Sequence, residues 1–119
     1  MGRMETDTTH QAAIVRLTQL RTDGRRIRND GALVDDSNIG EWLKRVVRWM
    51  IQVSRVIQNI DEADSQYFKT ADAVPQPQVF KNCNCQARAN QADYLTFYSQ
   101  HNLRLIRLDE LLKKYGISL

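Results

Sequence analysis

Cys83 and Cys85 stand one residue apart, with Lys81 and Arg88 close by in the stretch VFKNCNCQARANQ. Paired thiols serve three chemistries: a structural metal clip, a redox couple and a disulfide. Zinc wants about four sulfur or nitrogen ligands, and beyond the two thiols the chain offers only His10 and His101, with no second Cys pair. A disulfide across a single intervening residue is strained, and the best-attested redox spacing is Cys-x-x-Cys. Lys81 and Arg88 could lower the pKa of a nearby thiol. That leaves a reactive cysteine as the alternative to the favoured reading, two ordinary thiols in a loop ahead of a helix. Neither a metal nor a cofactor is expected.

His101 offers acid-base chemistry beside Tyr98 and Arg104. It also falls at the centre of an apolar row, Tyr94, Tyr98, Leu105, Leu108, Leu112 and Tyr115, which three-and-four spacing places on one helix face. A histidine so placed reads as packed and hydrogen-bonded rather than as a general base. His10, beside Thr8 and Thr9, reads as part of a helix start. The chain has no Gly-rich phosphate loop, no Ser/His/Asp arrangement and no paired-carboxylate motif, and Asp35-Asp36 is a common loop pattern. No catalytic residue is assigned.

Cations are the more specific signal. Arg21, Arg25 and Arg28 recur at four-and-three spacing, and Lys44, Arg45, Arg48 and Arg55 share one side of a second helix that has no acid between Glu41 and Asp61. A purely solvating face usually mixes its signs. Arginine forks suit phosphates and carboxylates alike, so these seven residues form a candidate binding face for an acidic macromolecule, nucleic acid or protein. No aromatic residue interleaves with them, which disfavours recognition of single strands by base stacking.

The elements that must hold these residues are helical. Ala13, Leu17, Leu20, Gly24 and Ile27 line one side of a helix expected over Thr9 to Asn29. Gly24 is either a close approach of a neighbouring helix or a break, and Asp30-Gly31 is the expected stop in the left-handed conformation. Asn38 is expected to cap a second helix, with Glu41 reaching back to it. In that helix Ile39, Trp42, Val46, Trp49, Val53, Val56 and Ile60 step by three and four, and Leu43, Val47, Met50 and Ile57 widen the stripe to half the circumference. A short helix follows, with Tyr67 and Phe68 closing the core. VPQPQ then opens a surface loop over 73–85. The last helix starts between Gln86 and Gln91 and ends at Gly116, with Asp109–Lys113 and Glu110–Lys114 as i,i+4 pairs.

The expected fold is therefore all-α: a small antiparallel bundle of about three long helices and a short one, a single domain over 1–119 with a flexible tail over 1–8. The size suits one core: 119 residues, 42% hydrophobic and 26% charged. A formal charge of +3 and a pI near 9.1 favour acidic partners. No apolar run suggests a signal peptide or a membrane span, so a cytoplasmic location is the expectation. The broad apolar arc around Trp42 and Trp49 could also serve a homo-oligomer.

The order LTQLRTDGRRI, EWLKRVVRWMIQVSRVI, DSQYFK and LRLIRLDELLKKYGI resembles HEPN-like helical modules of prokaryotic defence and conflict systems. Ribonucleases of that family carry an Arg and a His with four to six residues between them, within a helix. Here the spacing is met at Arg3 and His10, near the N-terminus, while Arg88 and His101 are too far apart. The resemblance thus implies a non-catalytic member, prokaryotic or phage-derived, that binds or regulates. An RNA endonuclease subunit using His101, or a structural oligomer-forming subunit, is the alternative.

Overall fold

A computed structural model describes the backbone of residues 2–35, 37–71 and 91–119, and the side chains of 10–35, 37–71 and 96–119. In chain order the helices are α1 (Gly2–Gly31), α2 (Ile39–Gln58), α3 (Glu62–Lys69) and α4 (Gln91–Lys114). No strand occurs among the described residues, and none of their helices is long and apolar enough to cross a membrane. The all-α bundle read from the sequence is the fold. Cys83, Cys85 and the loop expected over 73–85 lie outside the described residues, as does the side chain of Tyr94.

The helix directions follow from the cross-helix contacts. Trp49 meets Leu20 while Trp42 meets Ile27, so α1 and α2 are antiparallel. Arg21 meets Asp109 and Gly24 meets His101, so α1 is antiparallel to α4 as well. Consequently α2 and α4 run parallel. The short α3 lies antiparallel to both, with Ser65 bonded to Ser54 of α2 and Asp64 to Lys114 of α4.

The α1 helix starts at Gly2 rather than near Thr9, and with no Pro or Gly between Arg3 and Asp23 nothing interrupts it. Its core side is the predicted one: Leu17, Leu20, Gly24 and Ile27 are buried. Gly31 does not end the helix by a left-handed turn, because the only positive φ among the described residues is at Gly116. It is needed for space instead. A Cβ at Gly31 would come within 2.5 Å of the Trp42 indole, and one at Gly24 would strike Trp49 and Leu105. Of the two readings of Gly24, close approach is the one that holds.

This packing has a seven-residue repeat. Trp42 donates its indole N–H to the Ile27 carbonyl (2.8 Å) and abuts Gly31; Trp49 donates to the Leu20 carbonyl (2.6 Å) and abuts Gly24. Two helical turns separate the members of each pair, so the same contact is made twice along one seam. Both indoles are 2% exposed, and their N–H donors are satisfied where water cannot reach. The Trp42/Trp49 stripe is therefore spent inside a single chain, completed by Val46, Val53, Ile57, Phe68, Leu105, Leu108, Leu111 and Leu112.

Caps set the remaining ends. Asn38 occupies the N-cap position of α2 but makes no cap bond; its side chain turns back to accept from the Asp35 amide (2.7 Å), which closes the connecting loop on itself. Asp61 caps α3 by accepting from the Asp64 amide (3.0 Å). At the end of α4, Gly116 with φ 94° allows the amides of Gly116 and Ile117 to reach the carbonyls of Lys113 and Leu112.

Candidate basic interaction face

Positions four and seven apart fall close together around a helix, so Lys44, Arg48 and Arg55 form a row along the outer side of α2, opposite the buried Trp42, Val46 and Val53. Arg48 and Arg55 are exposed, and neither makes an ion pair among the described residues. Lys44 reaches Glu41 (3.5 Å) in a fully solvated i,i+3 pair that contributes little. Arg45 points toward α1 and donates to Asp30 (2.9 Å), a tie between the two helices.

The other predicted row is used differently. Arg21 grips Asp109 of α4 (2.5 Å) in a pair that is partly shielded from solvent. Arg28 is half-buried and donates to the neighbouring Asn29 side chain (3.5 Å). Arg25 is exposed beside Thr22, Arg26 and Asn29. Arg21 thus flanks the α1/α4 seam, whereas Arg48 and Arg55 lie on the outer side of α2.

Arg26 is the cation that spacing missed. Together with Asp23, Arg45, Arg48 and Gln52 it lines a groove of about 240 Å³ between α1 and α2, with Ile27 and Trp49 at its floor. Arg26 neighbours Arg25 in the sequence but falls outside the 21/25/28 spacing.

Beside the cation row lies an apolar one. Val47 and Ile51 are 37% and 38% exposed, and Leu43 is partly buried next to them. The sequence assigned Leu43 and Val47 to a widened core stripe. The core of α2 instead extends only as far as its neighbours cover it. Short α3 packs against the C-terminal half of the helix, where Ser54 is buried, and leaves Val47 and Ile51 partly exposed.

His101 lies away from this face, 1% exposed. Its Nε2 lies 2.7 Å from the Gly24 carbonyl and its ring 4.7 Å from that of Trp49. A carbonyl only accepts, so Nε2 carries the proton. Burial pushes its pKa down to about 4, which the Gly24 bond opposes and the Arg104 and Arg28 charges reinforce. Nδ1 is then a buried acceptor with no hydrogen-bond partner among the described residues. In this arrangement the ring is a neutral, buried packing element. The Asp35 carboxyl, its pKa lowered by hydrogen bonds from Ser37, is occupied in its own loop. Among the described residues no group of His, Cys, Asp and Glu could hold a metal ion.

No protein-family model, curated protein or solved structure matches this chain.

Proposed function

We propose that this chain is a non-enzymatic helical interaction module that binds an acidic partner, nucleic acid or protein, through the outer face of α2. The observation that carries this reading is that Arg48 and Arg55 make no ion pair among the described residues, on a helix with no acid between Glu41 and Asp61. A guanidinium left solvated and unopposed keeps its full capacity for a carboxylate or phosphate. Arg25 and Arg26 add positive charge on α1, while Arg21 and Arg45 serve cohesion between helices. The likeness to HEPN-like modules would make this a regulatory, non-catalytic member in a prokaryotic or phage setting. Burial of His101 and its bond to Gly24 favour binding over a ribonuclease that uses His101 as its acid-base group.

The test is retention on heparin resin, a generic polyanion, across a salt gradient. Arg48→Glu with Arg55→Glu should elute at clearly lower salt than the wild type while melting at nearly the same temperature. Equal elution of the two proteins would remove the α2 face from the reading, and unfolding of the variant would show that the face is structural.

A further inference from the structure

Resting on that reading, we infer that the α2 face docks an amphipathic helix of another protein whose apolar stripe is bordered along one side by carboxylates. Leu43, Val47 and Ile51 are spaced by four, so they form a continuous apolar row, and Lys44 and Arg48 border it along one edge. The shallow surface that these five residues line measures about 460 Å³. Arg55 extends the cationic edge by a further two turns. From Leu43 to Arg55 the face runs about 18 Å, the length of a helix of roughly 12 residues.

Charge selects the occupant. A second copy of this chain would bring its own Lys44, Arg48 and Arg55 to the contact, and α2 supplies no carboxylate beyond Glu41 to neutralise six cations. Residues 72–90 are no better suited, with one acid, Asp72, against Lys81 and Arg88. Nucleic acid would satisfy the cations but leave an aliphatic row facing phosphates and sugars, with no aromatic side chain on the row to stack a base. An amphipathic helix with acids on one flank satisfies both rows together: its apolar side chains cover Val47 and Ile51 while its carboxylates meet Arg48 and Arg55.

The probe is a synthetic peptide of about 14 residues with leucines at three-and-four spacing and glutamates along one flank only, compared with a scramble of the same composition. Wild-type protein should bind the patterned peptide at least about tenfold more tightly than the scramble, by fluorescence anisotropy. Val47→Ser with Ile51→Ser, both positions being partly solvated already, should abolish that preference and leave heparin retention intact. Arg48→Glu with Arg55→Glu should lose the patterned peptide and gain one carrying lysines in place of the glutamates. Equal binding of peptide and scramble, with heparin retention unchanged, overturns the apolar docking row and leaves the basic face standing. Loss of the difference between wild type and Arg48→Glu/Arg55→Glu on heparin would instead sink the reading beneath it. Tighter binding of a duplex RNA than of the peptide overturns the inference in favour of nucleic acid. A sedimentation mass that doubles in the wild type and not in Val47→Ser/Ile51→Ser overturns it in favour of a second copy.

Discussion

The indole of Trp49 lies across Gly24, in the space that any side chain at position 24 would need. On an exposed helix, Gly→Ala stabilises by about 1 kcal/mol through backbone propensity. Here the added methyl meets a rigid, buried ring that has no room to withdraw, and overpacking of this kind costs about 1–3 kcal/mol. Gly24→Ala should therefore lower stability in urea unfolding. A more stable variant would mean that Trp49 can move aside.

Acid should weaken the fold through His101. The unfolded chain takes up a proton at the ordinary value near 6.5, whereas the buried ring resists protonation until about pH 4. Stability from this group is thus fully present above pH 6.5 and declines as pH falls from 6.5 to 4, by roughly 3 kcal/mol in all. His101→Gln, though less stable at neutral pH, should lose that dependence. An unchanged profile in the variant would assign the acid effect to other groups.

Two arginines that look alike in the sequence should behave in opposite ways. Arg21→Ala breaks the tie to Asp109 and should cost about 1 kcal/mol, an upper figure for a pair still in partial contact with water. Its effect on heparin retention should be small. Arg48→Ala should leave the melting temperature alone and reduce retention. If both variants lose retention equally, the α1 and α2 cations act as one surface.

Asp64 joins α3 to the end of α4, accepting from Lys114 (2.8 Å) and from the Tyr115 hydroxyl (2.7 Å). Burial pulls its carboxyl pKa up, but the bonds from Lys114 and Tyr115 outweigh it and leave the group below its ordinary value. Asp64→Ala strands the half-buried Tyr115 hydroxyl and should cost about 1–3 kcal/mol. The stability lent by the charged form is present above the ordinary Asp value near 3.8 and is lost as pH falls below it. The pH dependence of the alanine variant should diverge from wild type only at that acid extreme, which distinguishes Asp64 from His101.

Periodicity made the core legible. Leu17, Leu20, Ile27, Trp42, Val46, Trp49, Leu105, Leu108 and Leu112 are buried where three-and-four spacing put them. It failed where a side chain had a choice of partners. Asp109, Glu110 and Lys114 each have an i,i+4 neighbour on α4, yet they bond to Arg21, Tyr67 and Asp64 on other helices. Local spacing says nothing of what a neighbouring helix offers. The same limit applies to the basic residues: Arg21 and Arg48 are alike in type and in helical spacing, and the position of Asp109 separates a structural arginine from one with no ion pair among the described residues. The exposed Val47 and Ile51 row was hidden for a further reason. How far α3 covers α2 depends on the length of α3, which no pattern within α2 encodes.

The paired notches at Gly24 and Gly31 also fix the permitted length of α1. Arg25 and Asn29 between them are exposed and can change identity without touching the seam, whereas Arg26 lines the groove beside Trp49. Inserting or deleting one residue there would keep both glycines yet swing one of them about 100° around the axis, out from under its tryptophan. Related chains should therefore tolerate many substitutions across this stretch and almost no change in spacing, with insertions accepted only in the connections beyond it.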